Sequence, residues 1–327
     1  MDNRIRTGGL AVLVTAWLVV TAGVGAGVTY GLLSDDATAS GTIRIDVGSP
    51  APSNGDAYND ANGNGRYDEG ESTYSEDELV NFNDPSANLV IPEDIDSIEP
   101  DNSQVSIRAG AITYGGKIES DTSSISLTAV DGDISMDGSK LESTNGAVTL
   151  DAPNGSISLT DGEIKAETGQ VTLSANEKID LTDSEVKAEN GNINITTSDE
   201  LIADDTVIES ETGYVLLRAE TISAHQAEIS ADNEYVTLSA TQNGGGPIDV
   251  TGTDLSANHD IMLESNGDVR ATETTMETTN GKITADLGTT DATLYVDGAT
   301  IDDGDDAIAY RPNGVRVVPS DGPATGS

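Results

Sequence analysis

A period constrains this chain more than any other feature. Ile125, Val148, Val171, Ile193, Val215, Val236, Ile261 and Ile283 follow one another at steps of 21 to 25 residues. A second series interleaves with them: Ile134, Ile157, Ile179, Leu201, Ile222, Ile248 and Val269. A third follows in register: Leu141, Ile164, Val186, Ile208, Ile229, Leu255 and Met276. Each residue opens a triplet whose first and third members are apolar or small and whose second is polar. In extended chain the outer two face one way and the middle one the other. Three short strands cannot bury themselves, but stacked units can, each strand pairing in parallel with its counterpart about 4.8 Å away. The spacing therefore predicts an all-β chain: a single-stranded parallel β-helix, or β-solenoid, with three short strands per coil of ~22 residues. About nine coils fit residues 101–318. Val105, Ile112 and Ile118 extend the series backward; Leu294, Ile301 and Val315 continue it more loosely. A β-sandwich would need longer strands and more large side chains, and gives no reason for a fixed three-strand register.

Between triplets lie turn residues, including Asn145-Gly146, Thr168-Gly169, Asn190-Gly191, Thr212-Gly213 and Asn280-Gly281. Glycine there is expected to supply a positive φ. "QNGGGP" (242–247) reads as a corner insertion. One Trp and one Phe in 327 residues suit a core of stacked aliphatics. With no cysteine, disulfides and thiol chemistry are excluded.

The stretch "GQVTLSANEKIDLTDSEVKAENGNINI" (169–195) resembles the coils of filamentous-haemagglutinin-type adhesins and related parallel β-helix surface proteins. The resemblance covers residues 101–290 and implies a right-handed solenoid. It is specific for the coil and less so for function, because adhesins, passenger domains and polysaccharide-active enzymes share the shape.

The charge narrows the partners. Asp and Glu number 58 against 15 Lys and Arg, a formal net charge of −43. Nucleic acid is excluded, since its binding rests on basic side chains, and anionic lipid is disfavoured. The acidic residues alternate with aliphatic ones, which favours an ordered fold with the acidic coat of a halophile over disorder.

Residues 1–41 read as a signal peptide or membrane anchor. Arg4 and Arg6 precede an uncharged run from Thr7 to Ser34, long enough for a hydrophobic helix to span a bilayer. The basic flank places the remainder outside. "TYGLLSDDATASGTIRIDVG" (29–48) resembles the start of proteins with SipW-dependent signals, the TasA/camelysin group. That resemblance implies processing near Ala26 and an extracellular or cell-surface fate. The membrane is then met only through this segment.

Residues 42–100 read as an irregular cap and linker holding "DANGNGRYDEGE" (60–71). Asp60, Asn62, Asn64, Gly65, Asp68 and Glu71 meet the D-x-[DN]-x-[DN]-G-x5-E pattern of a calcium loop. Ca2+ takes six to eight hard oxygens. Arg66 would add its backbone carbonyl, Gly65 the sharp bend and Glu71 two closing oxygens. "SPAPSNGDAYN" (49–59) is a poor entering helix, so only the exit side, "SEDELVNF" (75–82), is expected to be helical. The reading is a fastener between export segment and rod, without a signalling role.

No catalytic residues stand out. Asp180 and Asp249 share the second face but lie three coils apart, with Arg270 the expected partner of Asp249. "DDGDD" (302–306) reads as a turn, and His225 and His259 as corner residues lacking a hydroxyl or acid partner at a readable spacing. On the third face Glu142 and Lys165 should be neighbours on adjacent coils, as should Lys187 and Glu209. Asn154 and Asn194 lie in glycosylation sequons. The leading expectation is a non-enzymatic structural or adhesive surface rod that contacts glycans or envelope components. A polysaccharide lyase or hydrolase is the alternative. A second alternative is a bactofilin-like scaffold that self-associates end to end. Residues 319–327 are expected to form a disordered tail.

Overall fold

The computed structural model describes residues 52, 56–92, 98, 104–303, 307–313, 315–319 and 324–326. All belong to one compact unit, Val47–Ser327. The expected N-terminal hydrophobic helix lies outside them, as do 304–306 of "DDGDD". Among the described residues no helix is long and apolar enough to cross a membrane.

The body is a parallel β-solenoid of roughly ten turns, one more than the triplets suggested. Registers match the three series residue for residue: Val148 pairs with Val171, Ile157 with Ile179 and Ile164 with Val186. The third face forms its own nine-stranded sheet. Inward positions are nearly all fully buried, as at Leu150, Leu173, Ile195, Leu217 and Leu238. Each such side chain contributes about 1.5–3 kcal/mol. Like therefore stacks on like, and a core of small aliphatics fills without large rings.

Two kinds of corner close each coil, and they differ from expectation. Gly146, Gly169, Gly191, Gly213 and Gly281 are absent from the positive-φ residues. Glycine is needed there for close approach, since a Cβ on Gly191 would collide with the carbonyl of Gly169 one coil earlier. The preceding asparagines tie the same corner: Asn190 Nδ2 donates to the Glu167 carbonyl at 2.8 Å. Left-handed residues recur coil after coil at another corner, between the second and third strands. They are Gly138, Asp161, Asp183, Asp205, Gln226, Gly252, Glu273 and Gly298. Aspartate tolerates that region better than most residues, so glycine marks only three of the eight. Gln242–Gly244 forms a 3-10 turn in the expected insertion.

The described part of segment 42–100 is more regular than expected. Strand β1 (Ala57–Asn59) pairs antiparallel with β2 (Thr73–Tyr74), and helix α1 (Glu76–Leu79) starts with a capping box of Ser75 and Glu78. Strand β3 (Asn83–Ile91) lies parallel on β4 (Val105–Tyr114), which runs without a break through the first and second faces. Pro85 explains why β3 was hard to read. It cannot donate to a ladder, and the register shifts between Asp84 and Asn88.

At the other end, Ile308 stacks in the first series and Val317 pairs with Leu294, so Val315 precedes the strand that continues the second series. Ala324–Gly326, expected to be disordered, lie as a strand beside Ile308–Arg311, whose edge otherwise offers unpaired backbone groups. Asp302 ends a strand (Thr300–Asp302) instead of lying in a turn.

On the third face, Glu142 and Lys165 are register neighbours as expected, but Lys165 bonds Glu189 at 2.8 Å and Glu167 at 3.3 Å. Glu142 is taken by Lys140 at 3.3 Å. Lys187 reaches Glu209 at 3.1 Å as expected. Such half-exposed pairs give about 0–1 kcal/mol each.

The corner geometry predicts that Gly191→Ala destabilises the protein by about 1–3 kcal/mol, the cost of overpacking a tight site. Chemical denaturation should show it. Asn190→Ala, which loses one exposed hydrogen bond, should cost about 1 kcal/mol or less.

Candidate functional sites

The acidic loop is the tip of the β1–β2 hairpin. Asn59 N–H bonds the Ser72 carbonyl at 2.9 Å just below it. Strand β2 follows the loop directly, and the helix begins only at Glu76. Inside, the side chains turn toward one another. Asp60 Oδ1 and Oδ2 accept from the Asn64 and Gly65 N–H groups at 3.0 and 2.6 Å. Asp68 Oδ2 accepts from the Asn62 and Asn64 amides at 2.6 and 2.8 Å. The two oxygens of Glu71 accept from Ala61 N and Asp68 N at 3.0 and 2.9 Å. Gly65 has φ +73, the bend expected of it.

These groups make a donor set of the right chemistry for a hard cation. Among the described residues no three His, Cys, Asp or Glu side chains gather for a metal by themselves. A cation here would therefore depend also on the amide oxygens of Asn62 and Asn64 and the carbonyl of Arg66. Each amide would turn its oxygen inward, a swap between atoms of nearly equal size. Tyr67 stands edge-on to Tyr58 at 5.7 Å between centroids. Burial, then the charges of Asp60, Glu71 and Asp68, push the Tyr58 hydroxyl above its usual pKa.

The loop is fixed to the first rung of the solenoid. β1 pairs with β3 through Tyr58–Val90 and Asn59–Leu89. Asp60 N–H bonds the Asn88 carbonyl at 2.8 Å, and Asn88 Nδ2 bonds the Asp60 carbonyl at 3.2 Å. Asn88 N–H also bonds Asn59 Oδ1 at 2.9 Å. The hairpin thus covers part of the edge of β3.

A second constellation contradicts the reading of His225. Its Nδ1 lies 3.1 Å from Asp204 Oδ1 and 3.0 Å from Ser223 Oγ, and its Nε2 lies 3.4 Å from Asp249 Oδ1. Ser223 donates to Asp204 at 2.8 Å, as does the backbone N–H of His225 at 2.9 Å. The acidic partners come from the coils before and after, 21 and 24 residues away, so no local spacing shows them, whereas Ser223 lies two residues before His225 on the same coil. The signal was one coil length in either direction. His259 stays an exposed corner residue.

Arg270 lies 3.8 Å from Asp249, the expected pairing, and its guanidinium sits 5.3 Å from the ring centre of Tyr295. Asp180 bonds Lys178 at 2.9 Å and Thr182 at 2.7 Å, apart from this group. Of the sequon residues, Asn154 is exposed but donates to the Val130 carbonyl at 2.8 Å, while Asn194 is half-buried in the first-face file.

Partial burial opposes charge on His225, but the hydrogen bond and charge of Asp204, with Asp249 beyond, more than offset it. Its pKa ends above the usual 6.5. Burial likewise opposes the Asp204 carboxylate, and the His225 N–H, Ser223 and the imidazole outweigh it, leaving Asp204 below 3.8. A raised histidine stabilises the fold below its unfolded pKa and loses that contribution as pH rises through the folded value. A lowered aspartate stabilises above its unfolded pKa and loses that as pH falls. The bridge is therefore strongest between the two ordinary values, in mildly acidic solution. The stability difference between wild type and His225→Gln should shrink from mildly acidic to mildly alkaline pH. The His225 ring should titrate by NMR with a midpoint above 6.5. A midpoint below it, or a difference that does not change with pH, would show that the bridge is not formed.

Comparison with family models, curated proteins and solved structures finds no match to this chain.

Proposed function

We propose that the protein is an exported surface rod, structural or adhesive in role, whose N-terminal edge is closed by a calcium-bound hairpin. The observation that carries this reading is the attachment of the loop to β3. A loop with the oxygen set of a calcium site is the tip of an antiparallel hairpin joined to the rod's first rung. Calcium would draw Asp60, Asp68 and Glu71 together and offset their mutual repulsion. Asn62, Asn64 and the Arg66 carbonyl would complete the set. Two short strands and a four-residue helix flank the loop, so there is no helix pair to open, and the role is fastening. Three charged ligands suit a modest affinity, about 10⁻⁴–10⁻³ M, as in extracellular modules.

The surface role rests on the rod itself. Its outer files are mostly hydroxyls and half-exposed ion pairs, suited to presenting a face over distance. The hydrophobic run Thr7–Ser34 behind Arg4 and Arg6 supports export, and the net charge of −43 supports life in high salt. The coils' resemblance to filamentous-haemagglutinin-type repeats supports the adhesive form, and that of residues 29–48 to camelysin-like signals supports secretion. Glycans or envelope components are the proposed partners, with Asn154 and Asn194 as candidate glycan attachment points. A second reading, acid–base chemistry on a polysaccharide, is favoured by the Asp204–His225–Asp249 arrangement beside Arg270. Loss of polysaccharide cleavage in His225→Gln with calcium response intact would establish it.

Calorimetric titration should show one calcium site in the wild type and none in Asp60→Ala/Glu71→Ala. At 100-fold excess over the dissociation constant, calcium should raise stability by about 2.7 kcal/mol in the wild type alone. The Tyr58 hydroxyl should titrate lower with calcium bound. Equal binding by both proteins would remove calcium from the reading. Fractionation and the mature N-terminus test export: a full-length soluble cytoplasmic product would contradict it.

A further inference from the structure

Tyr214 and Tyr235 hold the same place on successive coils, just before the first-face strands Val215–Ala219 and Val236–Ala240. Their rings are 5.0 Å apart between centroids and 4° from parallel, so the stack runs along the rod. Two residues on, and one coil further, the outward file reads Leu216, Thr237, Met262. Elsewhere that file holds Ser, Thr, Asn or, at its far end, Ala309, so Leu216 and Met262 are its two large apolar members among the described residues. Among the described residues Tyr235 is the one large apolar side chain classed as exposed, at 38%.

The stack ends there. The next coil places Asp260 where a third ring would stand, and its carboxylate accepts the N–H of Lys282, one coil further from the stack, at 2.9 Å. Tyr235 shows a ring contact to Tyr214 on one side, and an exposed aspartate follows on the other. Burial, Tyr214 and Glu234 push the Tyr235 hydroxyl up in pKa, with Arg218 opposing, so the tip is a neutral donor flanked by a carboxylate and a guanidinium.

A flat ring is the natural occupant of such a face. A nucleobase is ruled out because the chain's net charge of −43 repels the phosphates that would carry it. An acidic sugar meets Glu234, Asp260 and Glu264. A neutral pyranose has what the patch asks for: one apolar C–H face for the ring, and hydroxyls around its rim for Thr237, Glu234 and Arg218. The backing ring of Tyr214 fixes the platform before anything binds, which lowers the ordering cost. We propose that the Tyr214–Tyr235 stack, with Leu216, Met262 and Arg218 beside it, is a binding subsite for a neutral sugar ring of a polysaccharide. The inference deepens the adhesive reading above and rests on it for its biological meaning.

The test is affinity electrophoresis of the full chain in gels carrying mannan, dextran or laminarin as neutral polymers and alginate as an acidic one. At least one neutral polymer should retard the wild type. Tyr235→Phe should keep that retardation. Tyr235→Ala should weaken it by about 5- to 150-fold, the range for one stacked ring. Asp260→Phe, which fills the open position with a ring of the protein's own, should abolish it; this variant decides the matter if Tyr235→Ala loses the β-sheet circular dichroism. No retardation by the neutral polymers, equal retardation of all variants, or retardation by alginate alone would each overturn the proposal. So would self-association in sedimentation that Tyr235→Ala abolishes, which would make the patch a contact between copies. The two readings fail separately. Absence of retardation in an exported protein removes the subsite and leaves the rod's role, whereas a cytoplasmic location removes that role and leaves retardation in vitro standing.

Discussion

The solenoid depends throughout on parallel in-register pairing between a strand and its counterpart one coil away. The pairing fixes the rise per coil at about 4.8 Å and forces identical positions to stack. A residue's neighbours along the rod are therefore those one period away in sequence, such as Val171 between Val148 and Ile193. Buried like-on-like columns of Ile, Val and Leu follow, and so do glycine corners where backbone meets backbone. The same rule orders the outside. The Lys187–Glu209 pair, the Asp204–His225–Asp249 bridge and the Tyr214–Tyr235 stack are all contacts across a period.

That rule explains what could be read beforehand. The strands and faces were legible because a column of apolar residues at fixed spacing has few other ways to be buried, and Ile157 over Ile179 is seen in both sequence and structure. The calcium-type loop was legible as a pattern; in the fold Asp60 accepts from the Asn64 and Gly65 N–H groups and Asp68 from the Asn62 and Asn64 amides. The cap was not, because the register of β3 shifts around Pro85 and the hairpin strands β1 and β2 are only two or three residues long. Nor was the corner chemistry. Glycine served close approach at one corner, and aspartate took the left-handed conformation at another. His225 was misread because its acidic partners lie one coil away on each side, although its hydroxyl partner Ser223 is only two residues off.

The outer surface can be viewed as a lattice, with coils as rows and outward positions as columns. Substituting one outward residue changes one lattice point and leaves the core columns untouched. A face of Ser and Thr can thus acquire two tyrosines, a leucine and an arginine without altering the fold. Function on such a scaffold is local and cheaply varied, while stability is spread along the whole stack.

The hairpin on β3 gives the rod's ends unequal character. Its first rung is partly covered by an antiparallel strand, which breaks the parallel repeat. At the far end, among the described residues, Thr300–Asp302 and Arg316–Val318 each pair on one side only. A filament needs two ends that accept a neighbour, whereas a rod with one such end can pair once and stop. In the polymer sense, a hairpin so placed would act as a chain terminator for any end-to-end stacking of copies.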